Sequence, residues 1–257
     1  MKTLLKVLAG IGLVVAVGVS AIFYFTSGLV DTADEFFAAV AAADSELAYS
    51  YMSADFRASA SRAELEAYLQ ANALDNITKA NWSSRSLTGG KGSLEGSAET
   101  ADGGVTPITL NFVKGDEGWR IYSLQKPAAG LSEETTSQAP SSEKVLALTS
   151  ETTQVWAQAI DEQDMSKLYA HVSQLWQRQT SAEELGDIFS GFYDTGADFS
   201  VFNSVSPIFD EAPSIDEDGV MKVSGYYPTN PAQLHFEHSY VYEGLDWKLA
   251  GVRANIE

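Results

Sequence analysis

The chain has 257 residues, 45% of them hydrophobic and 11% aromatic, enough apolar side chain to fill one or two globular cores. Its formal net charge of -19 gives a surface that repels phosphate backbones and anionic headgroups, which speaks against nucleic-acid binding. Cysteine is absent, so disulfides, thiolate metal sites and Cys nucleophiles are excluded and each core has to stand on apolar burial.

From Val7 to Phe25 no residue is charged. At a helical rise of about 1.5 Å per residue this run spans roughly 28 Å, close to the hydrocarbon thickness of a bilayer. Lys2 and Lys6 precede it and Asp31, Asp34 and Glu35 follow it. The positive-inside rule therefore keeps the N-terminus cytoplasmic and exports the rest. The expectation is a single-pass protein of the cell inner membrane, anchored through residues 7–25, with its bulk periplasmic or extracellular. Val19-Ser20-Ala21 offers a signal-cleavage alternative, but cleavage there leaves an apolar IFYF terminus, which favours a retained anchor.

Beyond the anchor, Phe36, Phe37, Val40 and Leu47 fall near helical spacing and predict an apolar stripe, as do Val155, Trp156, Ile160 and Leu168 further on. The two regions are related by a shift of 120 residues, which aligns Asp44 with Asp164, Tyr49 with Tyr169, Ser53 with Ser173 and Phe56 with Trp176. The same shift sets Ser61 on Ser181, Glu64 on Glu184, Leu65 on Leu185 and Leu69 on Phe189. Both serines stand three residues before a glutamate, the capping-box form that starts a helix. Downstream the period changes to two, in Ile108, Leu110, Phe112 and again in Leu234, Phe236, His238, Tyr240, which predicts strands. A shift of 128 relates these, placing Phe112 on Tyr240, Trp119 on Trp247 and Ile121 on Leu249, so the second copy holds eight extra residues.

Gly-Gly pairs at 89–90 and 103–104, and Gly115-Asp116-Glu117-Gly118, divide the first copy into about four strands. Residues 126–143 are poor in large apolar side chains and rich in Pro, Ser, Thr and Glu, the composition of a linker. The expected organisation is a cytoplasmic stub and anchor over 1–30, a first roll over 31–125, the linker over 126–143 and a second roll over 144–257. About three helices followed by an antiparallel sheet in each makes the fold class α+β.

Helices leading into a sheet whose last hairpin reads Phe112-Val113 with Trp119-Arg120-Ile121, and Tyr240-Val241 with Trp247-Lys248-Leu249, resemble the cystatin-like roll of the nuclear-transport-factor-like superfamily. The membrane-anchored, duplicated form looks like bacterial envelope proteins of that superfamily. The resemblance implies a cone-shaped pocket between helices and sheet. It does not imply an occupant, because members include isomerases, dehydratases, carriers and adaptors.

All three histidines fall in the second copy. His238 replaces Leu110 of the first copy on the apolar face of its strand, so an imidazole points where the first copy packs hydrocarbon. A buried imidazole needs a partner, and Tyr240 or helix-borne His171 can supply one. His171, His238 and Tyr240 are the candidate ligand-binding residues; a hydrogen-bonded core histidine without a ligand fits the same pattern. His235 and Glu237 share a strand face, but no third ligand lies nearby in sequence, so no metal site is expected. The acidic stretch around Asp210, Glu211, Asp216, Glu217 and Asp218 reads as a solvated loop. No G-x-S-x-G, P-loop or dinucleotide fingerprint is present, and no cofactor is expected. The expected function is a non-enzymatic envelope module that binds a protein partner or a small apolar ligand. The alternative is a pocket enzyme of isomerase or dehydratase type in the second roll.

Overall fold

Side chains at 29, 33, 36 and 37 recur at helical spacing and are buried, and they lie on helix α1, which occupies 27–41 of the computed structural model. The structure describes residues 27–127, 139–216 and 218–257, so the apolar run 7–25, Glu217 and most of the 126–143 stretch lie outside the described residues. Among the described residues no helix is long and apolar enough to cross a membrane. The chain divides into two compact units, one closing at Lys126 and the other opening at Pro127. Each is a mixed α+β unit with an antiparallel sheet.

In the first unit α1 stops where Ala43 turns left-handed, at φ 55°. The Asp44 carboxylate accepts the Leu47 N–H at 3.0 Å and so caps α2, Ser45–Ser50. The left-handed turn breaks the helical phase, and this corrects the expected stripe: Leu47 is 45% exposed instead of continuing it. Helix α3 covers Ala54–Ser59 and α4 covers Arg62–Ala71. Four antiparallel strands follow in chain order: β1 Ile77–Thr88, β2 Lys91–Thr100, β3 Val105–Gly115 and β4 Gly118–Gln125. Gly89 and Gly90, both at positive φ, make the tight β1–β2 turn that such a hairpin requires. Strand β3 turns Ile108, Leu110 and Phe112 inward, each essentially inaccessible to solvent.

The second unit opens with the long helix α5, Ser142–Glu162, capped by the Ser141 hydroxyl, so the helix begins two residues inside the stretch read as linker. Helices α6 Ser166–His171, α7 Gln174–Gln177 and α8 Ala182–Phe189 follow. Two 3₁₀ turns, Ser190–Phe192 and Phe199–Asn203, lead into the sheet. Its strands are β5 Ile208–Phe209, β6 Ser214–Ile215, β7 Val220–Tyr227, β8 Leu234–Glu243 and β9 Asp246–Ile256, in spatial order β5-β7-β8-β9 with β6 also on β7.

The same hydrogen bonds occur in both units. Gln163 is left-handed at φ 51°, as Ala43 is, and Asp164 N–H reaches Ala159 O at 3.0 Å as Asp44 N–H reaches Ala39 O at 3.0 Å. Tyr49 donates to Arg57 O at 3.4 Å and Tyr169 to Gln177 O at 3.2 Å. Ser53 N–H donates to Ile121 O at 2.9 Å and Ser173 N–H to Leu249 O at 2.7 Å. Both capping boxes form, Ser61 with Glu64 and Ser181 with Glu184, each cap contributing about 1 kcal/mol. Opposite Asn111 and Phe112 of β3 the strand β4 bulges at Tyr122, and opposite Ser239 and Tyr240 of β8 the strand β9 bulges at Ala250; such bulges increase strand twist. Gly96 and Gly225 sit opposite the first-paired strand in each sheet, where an added Cβ would strike Asn81 O and Ile208 O respectively.

Candidate functional site

Strand alternation turns Leu234, Phe236, His238 and Tyr240 of β8 to the covered face of the second sheet, where all four are buried. His238 is 3% exposed and pairs across the sheet with Val223 and Val252. Its Nδ1 lies 3.1 Å from the Tyr240 hydroxyl, which also lies 3.0 Å from Thr152 Oγ1 on α5. A hydrogen-bonded chain from helix to sheet results, and each of its members is neutral. Burial first, and then repulsion from His171, pushes the His238 pKa down to about 3. Burial likewise raises the Tyr240 phenol, against the pull of Thr152 and Thr149.

The structure thus brings together two of the three residues singled out from sequence. His171, at the end of α6, is not part of that bond: its Nδ1 faces Glu151 at 4.0 Å and its side chain keeps a quarter of its surface in solvent. Burial pushes its pKa down, with Glu151 opposing and Lys248 reinforcing the shift. His235 and Glu237 point to the other face, where His235 stacks on Tyr226 and Glu237 pairs with Arg253 at 2.7 Å. Among the described residues no group of three His, Cys, Asp or Glu side chains could hold a metal ion.

Sequence reasoning missed the helical residues around this candidate site. Thr149, Thr152, Thr153 and Trp156 lie at i, i+3, i+4 and i+7 on α5, one face of the helix, and all are buried. Their counterparts at the 120-residue shift are Leu29, Thr32, Ala33 and Phe36 of α1, of which Leu29, Ala33 and Phe36 are wholly buried. Across the sheet Tyr227 stands opposite Leu234 where Ala98 stands opposite Thr106 in the first unit. The 120-residue shift carried back into α1 and α5 would have revealed this exchange of hydrocarbon for hydroxyl. Threonine alone did not, because it is at home on exposed and buried helix faces alike.

Several of these groups lack a hydrogen bond. Thr149 Oγ1, Thr153 Oγ1, Trp156 Nε1 and the Tyr227 hydroxyl are all buried and without a hydrogen-bond partner. Tyr227 draws near Thr153 and Ser150, whose attraction partly offsets the rise in its pKa caused by burial. Over them lies a wall of rings. Trp156 meets Phe192 edge-on at 5.0 Å, Phe199 at 5.5 Å and Phe189 at 6.0 Å, while Phe202 packs on Tyr227 at 5.0 Å.

Two open recesses lie elsewhere, one among the helices of each unit. One of about 220 Å³ is bordered by Ala43, Arg62 and Glu66, and one of about 430 Å³ by the corresponding Gln163, Ala182 and Gly186. Neither contains a residue of the His238 network.

No protein-family model matches the chain, and no curated protein matches it. A solved structure, that of a cystatin-like protein from Ruminococcus gnavus, is 14% identical to it, with a TM-score of 0.23. The match covers 62% of this chain and 57% of that one, so the chain spans little more than half the length of that protein. A likeness of that size carries no argument about function.

Proposed function

We propose that the chain is a membrane-anchored, extracytoplasmic binding protein built of two tandem cystatin-like rolls. The first roll is a structural copy, and the second holds a small, mostly apolar ligand in its interior. The anchor rests on the uncharged run from Val7 to Phe25 and its flanking charges. The duplication is supported by hydrogen bonds that recur at shifts of 120 in the helices and 128 in the last strands, which independent folds have no reason to share.

The observation that carries the binding reading is the exchange of residue types inside the repeat. Where the first unit buries Leu29, Ala33, Phe36, Ala98, Leu110 and Phe112, the second buries Thr149, Thr153, Trp156, Tyr227, His238 and Tyr240. An apolar core of this fold is available to the chain, so placing donors and acceptors there costs stability without improving packing. Such a cost is retained where it serves recognition. The state of His238 supports a binding role for it over acid–base work. With a pKa near 3 it is a weak base whose bonded neighbour is neutral, ill-suited to move protons at neutral pH.

Native mass spectrometry of the full chain, extracted in mild detergent from the membranes of the cell that makes it, tests this reading. The expected spectrum shows a small-molecule adduct that disappears in the His238→Leu and Tyr240→Phe variants. A bare protein mass, or an adduct that is itself a protein, would sink it.

A further inference from the structure

We infer that the interior of the second unit takes a small uncharged molecule with a compact apolar body and one or two hydroxyl or carbonyl groups. The segment 190–207 serves as an aromatic lid over it. The inference rests on the binding reading and adds to it the class of ligand and the route of entry.

The class follows from what the interior offers. Thr149 and Thr153 on α5 and Tyr227 on β7 present hydroxyls that can both give and accept a hydrogen bond, and Trp156 presents a donor one turn further along the same helix face. None makes a hydrogen bond of good geometry, Tyr227 only drawing near Thr153 and Ser150 and Thr149 near Tyr240, and each is at least nine-tenths buried. Around them His238 is held neutral and Tyr240 is held protonated, so these neighbouring groups bring no charge. An ion brought here would lose its hydration and gain no counter-charge, a penalty of several kcal/mol. A neutral hydroxyl or carbonyl instead satisfies donors that otherwise stay unpaired. The rings of Phe192 and Phe199 pack on Trp156 and those of Phe202 and Phe236 on Tyr227, surroundings that suit an apolar or aromatic body.

The route follows from the extra residues of the second copy. In the first unit α4 ends at Ala71 and β1 begins at Ile77, whereas in the second α8 ends at Phe189 and the first strand begins only at Ile208. The residues between carry two short 3₁₀ turns and belong to no sheet ladder. Three phenylalanines seat the segment: Phe192 and Phe199 on Trp156, and Phe202 on Tyr227, two of the side chains that carry unpaired polar atoms. A segment held by ring contacts rather than by a ladder opens at lower free energy than the sheet does. Its opening uncovers the polar groups from the ring side.

The test uses the full chain in detergent and two probes of one shape that differ in charge, phenol and benzoate. Amide hydrogen exchange over 190–207 is followed with each. At ten times its dissociation constant phenol is expected to slow that exchange about tenfold by mass action, while benzoate leaves it unchanged. The Thr149→Val, Thr153→Val double variant keeps side-chain shape and is expected to abolish the phenol effect. Leu29 and Ala33 of the first unit show that the repeat tolerates hydrocarbon at those positions. Tyr227→Phe supplies an independent removal of one hydroxyl. Equal protection by benzoate, no response to phenol, or a phenol effect that survives both variants overturns the inference. Failure of the binding reading shows separately, as a bare protein mass from the native source.

Discussion

A neutral imidazole in a dry core ties stability to pH, and for His238 the sign can be worked through. A free histidine titrates near 6.5, and in the folded chain burial pushes His238 down to about 3. Above pH 6.5 neither state binds the proton, so the contribution of His238 to stability is complete. Between 6.5 and 3 the unfolded chain takes up a proton that the folded one refuses, so stability falls as pH falls, by up to about 5 kcal/mol. His171, whose pKa burial also lowers, acts in the same direction, with Glu151 opposing the shift. His238→Leu, which restores the residue type at the equivalent position of the first unit, is expected to flatten this acid limb. Urea midpoints from pH 7 to pH 3 for both proteins check it; parallel curves would mean that His238 does not stay neutral in the fold.

At the scale of elements, the close approach of β5 to β7 depends on the absence of a side chain at Gly225. A Cβ there would strike the Ile208 carbonyl that faces it across the ladder, as one at Gly96 would strike Asn81. Gly225→Ala is therefore expected to cost about 1–3 kcal/mol, as overpacking does, and to pry β5 from the sheet. Faster amide exchange at Phe209 and a lowered thermal midpoint are the readouts. The consequence reaches the lid, because 190–207 is continuous with β5 at Ile208. Loosening that strand frees one end of the segment that covers Trp156 and Tyr227.

For the molecule as a whole, the proposed anchor would fix the side of the membrane on which the proposed binding unit lies. Washing membranes with alkaline carbonate is expected to leave the intact chain in the pellet, whereas a variant lacking 7–25 appears in the soluble fraction. Protease added to intact spheroplasts should degrade the bulk of the intact chain and leave any cytoplasmic marker whole. Release of the intact chain by carbonate would overturn the anchor, and protection from protease would overturn the orientation. Both units carry the overall acidity of the chain, which suits a surface kept clear of anionic headgroups.

Local chemistry was enough to make the frame legible. Ser61 with Glu64 and Ser181 with Glu184 announce helix starts because capping involves residues three apart. Ile108, Leu110 and Phe112 announce a strand because alternation has a period of two, and both signals recur in the second unit at shifts of 120 and 128. The break at Ala43 was not legible, since a left-handed alanine has no sequence signature, and Leu47 was misplaced for that reason. The pairing of two candidate residues was legible too: His238 stood out against Leu110, and Tyr240 lay two residues away on the same strand face. Only the tertiary structure decided that the bond goes from His238 to Tyr240 and Thr152 and leaves His171 aside. It alone set the α5 threonines against Tyr227 and laid Phe192, Phe199 and Phe202 over them. The physical reason is range: periodicity and capping act within one element, whereas a hydroxyl on a helix and an imidazole on a strand far along the chain meet only when the sheet is covered.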